Sequence, residues 1–366
     1  MEVGILIIAT WYVLNIIWLL YGFTKVKSFI PETAIPSTRF SIIVPFRNEA
    51  ENLPKLLESI SKLQYPIDLF EVILVDDASE KHFQIPDSKF QISVLDNIRT
   101  THSPKKDAIN TAIQKASNDW IITTDADCTV PKNWLSVFDS FIQSKQPRMV
   151  ASGVYYKVEN SILDSFQQLD LLSLQGTTIG SFGNQQAFIC NGANFCYNKV
   201  YFNELNGFEG NDNIASGDDV FLLQKAIAKE PKSVYFLKSK EALVQTHPET
   251  SWITLFYQRV RWASKTANYS GIYSKQLGIS VFAMNLCWIL SLAFWLLSSL
   301  EHYYLLFLVT TKLWIDAILI FKTARFFRIT TSHFFLSNLI YPFFSTAVVF
   351  YSFFGNYTWK GRTFKK

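Results

Sequence analysis

Three clusters of acidic residues have a spacing that could do chemistry. They are Pro45-Phe46-Arg47-Asn48-Glu49, Asp76-Asp77-Ala78-Ser79 and Asp125-Ala126-Asp127. Each closes a short apolar run, so all three are expected at one edge of one sheet. Carboxylates gathered there repel one another unless a cation relieves them. Asp-x-Asp on a turn suits a hard divalent ion that also holds a diphosphate. Taken singly the signal is thin. Asp-x-Asp arises about once by chance in a chain of this length, and a lone acid at a strand end also serves as a helix N-cap or Asx-turn. Further on, Gly217-Asp218-Asp219 opens an amphipathic stretch, and an N-cap role is a fair alternative for Asp218. Gln258-Arg259-Val260-Arg261-Trp262 follows. A Gln-x-x-Arg-Trp match arises by chance in on the order of one per cent of such chains, although Trp262 alone also reads as a membrane-belt aromatic.

The elements that must carry these residues are legible as β-type runs at 40–44, 71–75, 91–95 and 120–124. The second and fourth are nearly continuously apolar, as expected of strands buried on both faces of a parallel sheet. Leu53, Leu56, Leu57, Ile60 and Leu63 fall at helical spacing between the first two. Ala108, Ile109, Ala112 and Ile113 mark a second helix from Lys105 to about Ala116. Lys105 and Lys106 also read as a solvated pair at its start. Strand-helix-strand alternation predicts an α/β doubly wound fold, in which ligands bind at the carboxyl ends of the strands.

The 366 residues carry 34 Lys+Arg against 30 Asp+Glu, a net charge of +4. That balance gives no concentrated basic footprint, and no nucleic-acid partner is expected. Charged residues are only 17% and aromatics 16%, which excludes a disordered chain. Cys128, Cys190, Cys196 and Cys287 lack zinc spacing and read as reduced thiols. His247 precedes Pro248 and reads as a loop residue without chemistry.

Charge is nearly absent from both ends. Val3–Phe23 is apolar and long enough to span a membrane, and its flanks fit an anchor better than a cleaved signal. Lys25 and Lys27 follow it, which places the central domain in the cytosol. Ile279–Leu300 and Tyr303–Phe321 are further spans. Lys312 and Asp316 in the latter share a helix face and read as a mutually neutralised pair facing other helices. Phe334–Phe354 is broken by Pro342. A simple span would put Lys360, Arg362, Lys365 and Lys366 outside, so a re-entrant segment bent at Pro342 fits the positive-inside rule better. The expected organisation is an anchor at 1–24, a cytosolic domain at 25–278 and a membrane region at 279–366.

In order over most of Ser41–Trp262, these motifs resemble the family 2 glycosyltransferases, inverting membrane-bound enzymes, and among them ceramide glucosyltransferases and related lipid glycosyltransferases. The resemblance also takes in Lys105 and the turn Gly192-Ala193-Asn194. It implies a GT-A-type doubly wound mixed sheet, cytosolic, with transmembrane helices at both ends. Three departures stand out. Pro104 replaces the glycine before the lysine, the 78–91 linker is short, and the usual Glu-Asp pair reads Asp218-Asp219. The resemblance implies that Pro45, Arg47, Glu49, Asp76, Lys105 and Asp125 border a nucleotide-sugar, such as a UDP-sugar. Asp127 would ligate Mn²⁺ or Mg²⁺, and Asp219 would be the general base. Arg261 would stabilise the leaving phosphate, with Trp262 and Gln258 beside the acceptor. Gly192, Asn194 and Asp218 would lie on the acceptor side. An integral protein of a bacterial cell membrane is expected.

A lipid acceptor is expected because two amphipathic stretches, around Ile162–Leu174 and Trp252–Trp262, suit a membrane interface. Both also suit an ordinary core-facing stripe. A processive polysaccharide synthase is the competing enzyme reading. A nucleotide-sensing membrane scaffold is the non-catalytic one.

Overall fold

Strands that are apolar on both faces set the centre of the molecule. The computed structural model describes residues 2–32, 35–81, 83–84, 87–159, 161–211, 214, 216–297, 302–354, 357–359 and 362–364. Two units of structure emerge. The first comprises Val26–Lys157 and Ala187–His247, and the second Met1–Lys25, Val158–Gln186 and Pro248–Lys366.

The first unit is built on a seven-stranded mixed sheet. In chain order its elements are β1 (Phe40–Phe46), α2 (Leu53–Ser61), β2 (Phe70–Asp76), β3 (Gln91–Asp96), α3 (Pro104–Lys115), β4 (Trp120–Thr123), α4 (Trp134–Lys145), β5 (Met149–Ser152), β6 (Val154–Tyr156), β7 (Phe195–Asn198), α6 (Lys199–Glu204), α7 (Asp218–Lys229), β8 (Val234–Leu237) and β9 (Val244–Thr246). The sheet order is β3-β2-β1-β4-β7-β5-β8, with β6 and β9 paired separately. Strands β3, β2, β1 and β4 run parallel, and β7 is antiparallel to both β4 and β5.

The register places the motifs. Phe46 pairs with Asp76, and Asp76 with Asp96. Thr123 pairs with Phe195, so the 192–194 turn enters β7 at the edge where β4 ends. Pro45 lies beyond the last β1–β4 pair, Ile43 with Thr123. Its missing N–H therefore interrupts no ladder on that side. Glu71, buried within β2, is satisfied by Ser41 Oγ at 2.6 Å and by the Ser117 amide and hydroxyl at 2.7 Å each. A buried carboxylate needs such donors to be tolerated.

The second unit is helical. It contains α1 (Glu2–Lys25), α5 (Ile162–Gly183), α8 (Trp252–Ser264), α9 (Ile272–Leu296), α10 (His302–Phe327) and α11 (Phe334–Phe354), with β10 (Tyr357–Trp359) and β11 (Arg362–Phe364). Four of these, α1, α9, α10 and α11, are long and apolar enough to cross a membrane. Helices α5 and α8, from the 25–278 stretch expected to carry interfacial helices, pack with the terminal helices. Glycine is the reason for α5. A Cβ on Gly180 would sit 2.5 Å from the Leu19 carbonyl oxygen, and one on Gly183 1.8 Å from that of Gly22. Only bare backbones come that close. Lys312 and Asp316 form the expected pair at 2.5 Å, and Tyr12 Oη donates to Asp316 at 2.5 Å. The 334–354 segment is helical throughout, with Pro342 inside it.

Candidate active site

The carboxyl edge of the sheet unit collects the acidic clusters, but it uses them differently. Asp76 Oδ1 accepts the Ser79 amide at 2.9 Å and its hydroxyl at 2.6 Å, so it closes an Asx-type turn. Asp77 takes Arg99 Nε at 2.7 Å and Asn97 Nδ2 at 2.7 Å. Arg47 donates to the Asp77 and Ala78 carbonyls at 2.9 and 3.0 Å. Together these contacts tie the ends of β1 and β2. Glu49 accepts Asn52 Nδ2 at 2.7 Å on the approach to α2.

Lys105, in the first turn of α3, is the junction between two motifs. Its Nζ lies 2.7 Å from Asp125 Oδ1 and 3.6 Å from Asp218 Oδ2. Burial works against its charge, but Asp125 and Asp218 outweigh that and hold the ammonium above its ordinary value. A raised lysine keeps its contribution below its unfolded pKa and loses it only as pH rises through the folded one. Lys105 therefore stays charged across the neutral range. Pro104 occupies the opening of α3, where a ring costs no helical hydrogen bond. The departure from glycine there is compatible with the lysine's reach.

Asp219 stands beside this junction. Its Oδ2 accepts the Gly192 amide at 2.8 Å and its Oδ1 the Val220 amide at 2.7 Å. Asp219 is partly exposed, whereas Asp218 is buried. The cap of α7 is Gly217, at φ 86°, with no side-chain cap. Asp218 is thus not an N-cap and instead pairs with Lys105. The solvated-pair reading of the two lysines also fails, because Lys106 is 1% exposed. Asn194 is fully buried and its amide is committed. Nδ2 donates to the Gly153 and Ala242 carbonyls at 2.8 Å each, and Oδ1 accepts Trp134 Nε1 at 3.0 Å. These contacts commit its side chain to holding the turn.

Asp127 Oδ2 accepts Thr246 Oγ1 at 3.2 Å, a partner that spacing could not suggest. Among the described residues no three His, Cys, Asp or Glu side chains converge into a metal cage. One carboxylate that leaves most positions to phosphate oxygens and water is nevertheless an ordinary way to hold Mg²⁺. Asp127 fits that role. Beside it Cys128 is buried, and burial, then Asp127 and Asp125, pushes its thiol well up. It is a packing residue rather than a nucleophile.

Gln258, Arg261 and Trp262 lie on α8 of the helical unit. Gln258 Nε2 donates to Glu249 Oε1 at 2.8 Å. Between them Arg259, which spacing did not single out, forms a buried pair with Asp170 at 2.5 Å. Its guanidinium also lies 4.2 Å from the Trp262 ring centroid. Only the meeting of α5 with α8 reveals that pair.

Comparison with known proteins finds relatives for part of the chain. Residues 41–205 match the model for Glycosyl transferase family 2. Glycosyltransferase AglE of Haloferax volcanii is 27% identical over 127 residues, 33% of this chain and 40% of that protein. Poly(ribitol-phosphate) beta-N-acetylglucosaminyltransferase TarS of Staphylococcus aureus is 31% identical over 108 residues, 28% of this chain and 19% of that one. Undecaprenyl-phosphate 4-deoxy-4-formamido-L-arabinose transferase of Proteus mirabilis is 33% identical over 102 residues, 25% and 30% respectively. The chain thus spans well under half the length of these relatives. In fold it is similar to mannosyltransferase PcManGT from Pyrobaculum calidifontis, solved with GDP-Man and Mn²⁺. The TM-score is 0.53 at 16% identity, covering 94% of this chain and 99% of that one. The sheet is of the GT-A type, and residues 41–205 are the part of the chain that resembles family 2 glycosyltransferases.

Proposed function

We propose that the chain is an inverting, metal-dependent transferase that moves a sugar from a UDP-sugar to a hydroxyl of a membrane lipid. The observation that carries this reading is the junction at Lys105. One ammonium touches Asp125 at the end of β4 and Asp218 at the start of α7, with Asp219 alongside.

In this reading Asp125 and Lys105 border the donor, with Glu49 and Asp76 on the nucleotide side. Asp219 takes the proton from the acceptor hydroxyl as its oxygen attacks the anomeric carbon. The bond from that carbon to the phosphate oxygen breaks, and its electron pair leaves with UDP. A single in-line displacement inverts the centre. When bound at Asp127, a divalent ion would screen the charge on the diphosphate. Lys105 adds a positive charge on that side, which Asp125 and Asp218 keep protonated. Gln258, Arg261 and Trp262 keep the roles their motif implies.

A lipid acceptor is supported by the four apolar helices and by the undecaprenyl-phosphate transferase among the relatives. Lys25 and Lys27 favour a cytosolic face for the sheet unit, and we place the protein in a bacterial cell membrane. The test is UDP release by the detergent-purified chain, supplied with a UDP-sugar panel, Mn²⁺ or Mg²⁺, and membrane lipid extract. Release should need lipid, stop with EDTA, and fall by about 10²–10⁴-fold in Asp219→Asn. UDP binding without release from any donor would overturn the reading. A ladder of many sugars on one product would mark a processive synthase instead.

A further inference from the structure

Lys106 is a buried cation that the proposed reaction does not use. It follows Lys105 in the first turn of α3, but a step of about 100° around the helix sends it elsewhere. Its Nζ donates to the Asn211 carbonyl at 2.5 Å and to the Ile214 carbonyl at 2.9 Å. The same ammonium lies 5.1 Å from the centroid of the Phe221 ring. Asn211 and Ile214 precede Gly217-Asp218-Asp219, and Phe221 follows it on α7. One charge therefore grips the chain on both sides of Asp219.

We propose that Lys106 is a positioning residue that fixes Asp219 at the start of α7. This inference rests on Asp219 being the base of the reading above. Gly210 and Gly217 stand at φ 81° and 86°, and glycines that permit such angles also lose the most freedom on ordering, so a tether from outside steadies the start of α7. The helix start supplies no side-chain cap of its own. A buried ammonium is costly unless its donors are met, so it compels the carbonyls of Asn211 and Ile214 to stay where they are. Lys105 meanwhile holds Asp218 and Asp125. Two adjacent lysines thus lock the start of α7 to the first turn of α3, one through carboxylates and one through backbone and ring.

The test compares Lys106→Met, which keeps the apolar stem, with the unmodified chain. Hydrogen exchange should quicken about tenfold at amides 214–222 while β1 and β2 keep their protection. Where the unmodified chain releases UDP from a donor of the panel, kcat should fall about 100-fold, with KM for the donor and UDP binding unchanged. Lys106→Arg should restore part of the lost rate. Unchanged exchange at 214–222 would overturn the proposal, as would an increase spread evenly over the sheet. If the unmodified chain turns over no donor, the functional reading fails, and the exchange result alone decides the role of Lys106. If Lys106→Met does not fold, Phe221→Leu serves, with about a threefold rise expected at the same amides. No rise there overturns the proposal.

Discussion

Three charged side chains meet at Gly192, and its missing side chain permits the meeting. A Cβ there would lie 3.2 Å from Asp218 Oδ2, 3.5 Å from Asp219 Cβ and 3.5 Å from Lys105 Nζ. The first of these is tighter than most real contacts, so the carboxylate would have to shift by a few tenths of an ångström. Its partner Lys105 is held in turn by Asp125, so the shift would pass to the other motif. Gly192→Ala should therefore lower kcat about tenfold, because small misplacements of reacting groups are costly. UDP binding and the melting temperature should stay close to those of the unmodified chain. A variant with unchanged kcat would show that the junction tolerates movement. Lys105 should not appear as a step in the neutral pH–rate profile, since Asp125 and Asp218 hold it charged. At this scale the sequence was informative about which residues matter and less so about their partners. Thr246 on Asp127 and Asp170 on Arg259 are contacts between segments distant in the chain, and no local spacing encodes them.

The strands were the readable elements, and α5 was not. Apolar runs such as Phe40–Phe46 and Phe70–Asp76 announce burial on both faces. In α5, residues 165–172 are all buried although they include Gln167, Gln168 and Asp170. Its hydrophobic stripe reads as an amphipathic surface helix because its polar side also faces protein. Gln167 pairs with the backbone of Glu249 at 2.9 and 2.8 Å, and Asp170 with Arg259. The glycines on its other side carry the packing against α1. Gly180→Ala would force a methyl group to 2.5 Å from the Leu19 carbonyl oxygen, an overlap that the two backbones can relieve only by parting. A loss of about 1–3 kcal/mol or more is expected, read as a lower melting temperature in detergent. Gly4→Ala is the control, because nothing lies within 4 Å of its added methyl group. That variant should melt at or slightly above the unmodified chain, given the better helix propensity of alanine. Equal melting of the two variants would mean that α1 and α5 are not held by this contact.

The topology of the helical unit turns on α11, which is apolar and long enough to cross and carries Pro342 within it. Before the proline it pairs with α10 in antiparallel order. Phe334 meets Phe321, Asn338 approaches Asp316, and Tyr341 lies over Lys312. After it, Phe343 meets Trp288 and Phe350 meets Phe282, antiparallel to α9. Helices α9 and α10, read as successive spans, run in opposite senses. We propose that α11 re-enters, bending at Pro342 while it stays helical. Its far end agrees, since Tyr351 packs on Phe256 and Tyr257 of α8. Helix α8 has 13 residues, too few to span, and leads directly to α9. Proline is the residue at which a helix bends, and non-crossing segments at membrane depth are tolerated where protein covers them. The positive-inside rule prefers a re-entrant course, given the four basic residues that follow α11 in the sequence. An epitope added after Lys366 should resist protease in sealed right-side-out vesicles and be cleaved in inverted ones. A cysteine placed at Glu301, between α9 and α10, should show the opposite pattern with a membrane-impermeant maleimide. Cleavage of the epitope from outside would make α11 a true fourth span and leave the four basic residues to be explained some other way.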